Sequence, residues 1–255
     1  MAYFIPMKIS LIPAIVMLSA IHAAADFATL MRNGDIHDAK FQFDKALEYY
    51  LPAEKLAPEN AALLVKISKQ YALRMTILPK EANKIASVRQ ALAYAERARA
   101  SAPAQCDPHL SVAICLGKLT PFLGAREKID ASRKIKIAAD MAVKLGPQND
   151  YAWHILGRWH QSLANIGGTT RTLAGIIYGG LPAASNEEAV KCFQKAIALN
   201  PKRLVHVVEL GRTYAMMGRV AEAKRHLETG LAMPDKEKDD PEAKQRGRTS
   251  LKAIS

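Results

Sequence analysis

The chain has 255 residues, 49% of them hydrophobic but only 6% aromatic, and a formal net charge of +12. That is enough apolar material for a full core as one or two domains. No run of alternating β-branched residues lies between turn dipeptides, which argues against sheet and for an all-α chain. The basic excess favours acidic partners such as acidic protein segments or anionic lipid surfaces. Aromatic residues are nowhere interleaved with the basic ones, so a single-strand nucleic-acid platform has no support.

The first element is a targeting segment, residues 1–25. Lys8 is its only charge, and the apolar run over residues 9–21 is shorter than the ~20 residues that span a bilayer. Ala23, Ala24 and Ala25 offer a small-residue cleavage site just before Asp26. The reading is export to a periplasmic or secreted location, with an uncleaved N-terminal anchor as the alternative. Met7, directly before Lys8, is a second candidate start. Loss of residues 1–25 removes one cation and leaves 35 basic against 24 acidic residues, +11.

From residue 26 to 234 one spacing recurs. Ala46, Tyr50, Ala53 and Pro58 repeat in Ala91, Ala95, Ala98 and Pro103, in Ile135, Ala139, Ala142 and Pro147, and in Ala189, Phe193, Ala196 and Pro201. Steps of four and three place the first three positions on one helix face, and the proline ends the helix. This is the second helix of a tetratricopeptide repeat. Matching first helices carry Leu64, Ile67, Ser68 and Tyr71; Ala113, Leu116, Gly117 and Thr120; Trp153, Leu156, Gly157 and His160; and Val207, Leu210, Gly211 and Tyr214. The predicted fold is an all-α, right-handed superhelical array of about four irregular helix pairs, opened by a partial unit near residues 26–58.

Unequal spacing marks insertions. Gly211 to Ala223 covers the ~12 positions of a standard unit. Gly157 to Ala189 covers 32, Ser68 to Ala91 covers 23, and Gly117 to Ile135 covers 18. The longest insertion, near residues 165–185, contains an apolar stretch that breaks at Gly179, Gly180 and Pro182. Either it folds over the array and extends the core, or Leu173, Ile176, Ile177 and Tyr178 form the wall of a groove for an apolar ligand. Residues 235–255 follow as a charged linker and a polar capping helix that starts at Asp240-Pro241-Glu242.

The succession Tyr151-Ala152-Trp153-His154-Ile155-Leu156-Gly157-Arg158-Trp159, then Ile176-Ile177-Tyr178-Gly179, Pro182, Glu187-Glu188-Ala189 and an Asn-Pro closure resembles the regulator of microtubule dynamics proteins. The likeness runs from Leu30 to the last helix. It implies an irregular tetratricopeptide-like array. In eukaryotic members it implies association with microtubules, and in a membrane-anchored relative a lipid-binding role. An exported chain does not meet tubulin, so here the resemblance implies a bacterial envelope homologue. Tubulin remains a partner only if the N-terminal segment is not an export signal.

No catalytic constellation, metal site or cofactor motif stands out. His154 and His160 fall on different helix faces, and Gly167-Gly168-Thr169-Thr170 lacks the lysine of a phosphate loop. The three cysteines, Cys106, Cys115 and Cys192, have neither zinc nor disulfide spacing. The expected function is a non-catalytic scaffold for a protein or peptide partner, with an apolar-ligand carrier as the alternative. The expected partner-binding residues, on the exposed sides of the first helices, are Lys66, Gln70, Arg74, Lys118, His154, Arg158 and Arg212. Most are basic, so the partner should be acidic. For Arg158 a second role is open, as a bridge between neighbouring helices.

Overall fold

The computed structural model describes residues 12–168, 171, 175 and 182–255, with side chains from residue 24 onward. Among these residues there are eleven α-helices and no strand. In chain order they are α1 (Ile12–Asp38), α2 (Phe43–Leu56), α3 (Ala61–Arg74), α4 (Glu81–Ser101), α5 (Cys106–Leu119), α6 (Ala125–Leu145), α7 (Asp150–Ala164), α8 (Asn186–Leu199), α9 (Leu204–Met216), α10 (Val220–Ala232) and α11 (Asp240–Ala253). They stack as five antiparallel pairs in sequence order, and α11 covers the last pair. This is a helical repeat solenoid. The apolar run over residues 9–21 and the candidate wall residues Leu173, Ile176, Ile177 and Tyr178 have side chains outside the described residues.

The recurring second-helix positions form the spine of the core. Ala46, Tyr50, Ala53, Ala91, Ala95, Ala98, Ala139, Ala142, Ala189, Phe193 and Ala196 all have no exposed surface. Their small side chains let α2, α4, α6 and α8 approach the first helices closely, and the aromatic fills the space between. The way each of these helices ends is also repeated. Ala57, Ala102, Gly146 and Asn200, each directly before a proline, take φ between −131° and −144° and ψ between 66° and 82°. A proline forces its predecessor out of the α region. Each of the four still donates its N–H to the carbonyl of the last motif alanine, Ala53, Ala98, Ala142 or Ala196, at 2.8–3.1 Å. Asn60, Asn149 and Ser185 then cap the N-termini of α3, α7 and α8 with their side-chain oxygens.

One register differs from the sequence expectation. The Leu-Gly pattern predicts Gly117 as the close-approach glycine of α5, but it is exposed and a Cβ there would meet nothing within 4 Å. Ala113, four residues earlier and almost wholly buried, takes that place. It is the eighth residue of its helix, as Ser68, Gly157 and Gly211 are of theirs. Counted from Ala113, the unit is enlarged nearly as much as the one before it. Both insertions appear as a 3-10 turn, Met75–Ile77 or Thr120–Phe122, and a second helix of 21 residues.

All three cysteines are free thiols. Cys106 opens α5 rather than lying in a loop, and Cys115 sits two and a half turns further along the same helix. At 1.5 Å per residue that is about 13 Å, beyond disulfide reach.

Candidate functional site: the concave groove

The first helices α3, α5, α7 and α9 lie side by side and form the inner face of the array. A cavity of about 720 Å³ is walled by α3, α5, the starts of α7 and α9, and residues 237–239. A second, of about 1000 Å³, lies between α5, α6, α7 and α11. They share Ile114, Lys118, Tyr151, Val205 and Asp239, so they form one continuous groove. Ile114, Ile129, Ile155, Trp159 and Leu163 make the deeper part apolar.

Beneath this surface lies a buried ionic centre built on Glu209 of α9. Its carboxylate has no exposed surface. Arg158 Nη1 donates to Oε1 at 2.7 Å, Arg212 Nη1 to Oε2 at 2.6 Å, and Arg246 Nε to Oε1 at 3.2 Å. Burial pushes the Glu209 carboxyl up, but the three guanidiniums outweigh it and hold it below the usual carboxylate range. Arg158 comes from α7, Arg212 from α9 itself and Arg246 from α11, so one acid ties three helices together. Gln161 adds a fourth connection, donating to the Glu209 carbonyl and to Thr213 Oγ1.

A second buried chain runs alongside. Asp150 Oδ2 lies 2.8 Å from His206 Nε2, and His206 Nδ1 lies 3.0 Å from His154 Nδ1. Asp150 also receives Arg203 Nη1 at 3.0 Å. Burial pulls both imidazoles below their ordinary value. For His154 the nearby His206, Arg158, Arg246 and Arg203 add to that, while Asp150 opposes it for His206. Burial pushes the Asp150 carboxyl up, yet His206 and Arg203 bring it below the usual range. An ionised Asp150 can only accept, so His206 carries its proton on Nε2. Its Nδ1 then accepts from His154 Nδ1–H, which leaves His154 Nε2 with a free lone pair. Tyr151 stacks on His154 at 5.1 Å. Among the described residues no serine, threonine or cysteine is hydrogen-bonded to His154.

The residues singled out in the sequence fall into three groups. Lys118 lines both cavities and, among the described residues, carries no ion-pair partner. Arg158 lines the second cavity and also bridges α7 to α9 through Glu209. Lys66, Arg74 and Arg212 are cations with acids already attached: Asp35 at 2.6 Å, Asp44 at 2.7 Å and Glu209 at 2.6 Å. The expectation of exposure fails for Gln70 and His154, which are 0% and 3% exposed. Gln70 lines neither cavity, and neither of its amide atoms has a hydrogen-bond partner. His154 faces inward because its ring completes the Asp150–His206 chain. Sequence reasoning missed Asp150, Arg203, His206, Glu209 and Arg246. The available signal was the run from Leu204 to Leu210, apolar except for His206 and Glu209.

The long insertion leaves from the rim of the second cavity, where Leu163 and Ile166 are lining residues. Its two ends are tied together, with Asn165 Nδ2 donating to Asn186 Oδ1 at 2.8 Å. Among the described residues no cluster of histidine, cysteine or carboxylate side chains could hold a metal ion.

A family model for regulator of microtubule dynamics protein 1-3 matches residues 30–255. The chain is 27% identical over 169 residues to regulator of microtubule dynamics protein 1 of Bos taurus, covering 65% of this chain and 53% of that protein. It is 25% identical to the Mus musculus protein 1, covering 77% and 64%, and 23% identical to the Xenopus laevis protein 3, covering 84% and 47%. The chain thus spans about half to two thirds of the length of these relatives. Among solved structures it is similar to a thermophilic TPR protein of Thermus thermophilus, with a TM-score of 0.62, 17% identity, and 88% and 98% of the two chains covered. The Pseudomonas aeruginosa pilF protein gives a TM-score of 0.58 at 11% identity, covering 91% and 90%. At these identities the structural likeness shows the fold alone.

Proposed function

Because the chain belongs to the regulator of microtubule dynamics protein 1-3 family, and its fold is a helical repeat scaffold, we propose that it is a non-catalytic binding protein. It holds an acidic segment of a protein partner along the concave groove. The observation that carries this reading is the charge of the second cavity. Among the described residues Lys118 and Lys128 line it without an ion-pair partner, against Asp239, while Arg158 and Arg246 are already balanced by Glu209 and Glu242, beside a neutral His154. Net positive charge over an apolar floor suits a segment with both acidic and apolar side chains.

The test is anisotropy titration of a fluorescein-labelled peptide of alternating glutamate and leucine. Binding should weaken as salt rises, because the screening length falls from about 10 Å at 0.1 M to about 3 Å at 1 M. Lys118→Glu should weaken it further without changing helicity, since among the described residues Lys118 has no ion-pair partner to lose. Salt-independent binding that survives the reversal overturns the reading.

A second reading, a carrier of an apolar ligand, is supported by the size of the same cavity. About 1000 Å³ stands at the upper end of the ~300–1000 Å³ usual for ligand pockets. Mass spectrometry of an organic extract of the purified protein decides between them, because a carrier co-purifies with stoichiometric lipid. Microtubule association, suggested by the relatives' names, is tested by co-sedimentation with polymerised tubulin. It applies only to a chain that stays in the cytoplasm.

A further inference from the structure

Residues 235–239 do more than connect α10 to α11. Glu237, Lys238 and Asp239 form part of the groove wall, facing Phe41 and residues of α3 and α5. Lys238 reaches the opposite end of the array, where its Nζ stands 5.9 Å from the ring centroid of Phe43, the first residue of α2. The segment is built rather than loose. Asp240, 2% exposed, accepts the N–H groups of Lys236 and Glu237 on Oδ2 at 2.8 Å each. Asp235 pairs with Lys244 at 2.6 Å, and Glu237 accepts from Arg203 Nη2 at 3.4 Å.

A charged strap therefore joins the last repeat to the first across the open side of the groove. We propose that residues 235–239 are an intramolecular occupant of the partner site, which an acidic partner segment must displace. The proposal rests on the groove being the binding site and adds its regulation. Glu237 shares Arg203 with Asp150 and so places a second acid on a cation of the first cavity, while Lys238 closes the groove against α2. The contacts that hold the strap over the groove are one exposed ion pair and one cation–π contact, both of the weak kind. On its other side Asp240 and Lys244 of α11 hold residues 235–237. Displacement therefore lifts the strap off the groove and off these two side chains, while α11 stays packed on the array through Ala243 and Gly247.

The experiment compares the wild-type chain with the double variant Glu237→Gln, Lys238→Ala, using the glutamate–leucine peptide as probe. Both positions are exposed, so helicity and melting temperature should be retained. The released groove should bind the probe roughly three- to tenfold more tightly, because the competent state is no longer shared with the closed one. Spin labels on Lys45→Cys and Lys236→Cys, with Cys106→Ser, give a second readout. Their distance should be short and narrow in the free wild type and should lengthen on adding probe or introducing the double variant. Equal or weaker probe binding by the double variant overturns the strap while leaving the groove reading intact. A label distance that never changes does the same. Probe bound by neither protein removes the groove reading and the strap with it.

Discussion

Gly157 on α7 lies so close to Phe193 on α8 that a Cβ added to it would stand 2.9 Å from Cε1 of the ring and 3.1 Å from Cys192 Cβ. Phe193 is fully buried between helices and cannot swing away. Gly157→Leu should therefore destabilise the fold by at least the ~1–3 kcal/mol of an overpacked core. Gly117→Ala is the opposite case. It sits inside α5 with open space around it and should gain up to ~1 kcal/mol from helix propensity alone. Thermal unfolding of the two variants should move in opposite directions. A tolerated Gly157→Leu would show that α7 and α8 are not packed in this register.

The ionic centre sets the second expectation. Replacing Glu209 by Gln leaves Arg158, Arg212 and Arg246 converging without a counter-charge, which should cost about 3–5 kcal/mol. The same follows for Arg158→Glu or Arg212→Glu, each of which sets a second carboxylate against Glu209. These two arginines are thus poor probes of partner binding, because reversal harms the fold. Urea unfolding of Glu209→Gln checks the point. A midpoint equal to that of the wild type would mean that the cluster is not closed in solution.

Acid should weaken the fold in two stages. His154 and His206 have folded values below 6.5, so the unfolded chain binds their protons first, and stability falls once pH drops through that range. Glu209 and Asp150 are depressed below their ordinary values of 4.5 and 3.8, so their contribution is present above those values and is lost as pH falls further. The melting temperature should decline between about pH 7.5 and 5.5, then more steeply below about pH 4.5. His154→Gln should reduce the slope of the first stage, to which His206, His160 and His226 also contribute because burial lowers them too, and should leave the second. An unchanged slope in that variant would place the titrating group elsewhere.

The N-terminal boundary is open to direct measurement. Ala24, Ala25 and Asp26 are exposed, whereas Phe27, Leu30 and Met31 pack on the core and Gly34 lies against Tyr50. Cleavage before Asp26 would thus leave all these contacts in place. N-terminal sequencing of the native protein should give Asp26 from an exported fraction. An intact start in the cytoplasm would reverse the export reading and bring tubulin back as a partner.

The second-helix spine was legible because it obeys a local rule. Ala46, Ala91, Ile135 and Ala189 announce themselves by spacing to an aromatic or alanine one turn on and then to a proline just past the end of the same helix. Gly117 misled for the same reason: a leucine–glycine pair followed by threonine imitates the motif one turn late, and only the position of the Gln105 cap shows that Ala113 is the packed residue. The groove was far less legible. Arg158 and Glu209 are 51 residues apart, and their pairing depends on how α7 and α9 lie together, which no local pattern records. The cations of the first helices were visible in the sequence. The acids that neutralise Lys66, Arg74 and Arg212 come from α1, α2 and the adjacent turn of α9, so the basic stripe is much weaker than a count of lysines and arginines suggests.

The asparagine bridge at the root of the long insertion has an architectural consequence. Asn165 and Asn186 hold the chain entering and leaving the insertion within one hydrogen bond of each other, so α7 and α8 are joined as a helical hairpin whatever lies between them. Loop closure costs only about 0.6 kcal/mol per doubling of length. The geometry of the α7–α8 hairpin is thus set at its root by two side chains that flank the apolar stretch, and a change in the number of residues between them alters the closure cost by only that amount.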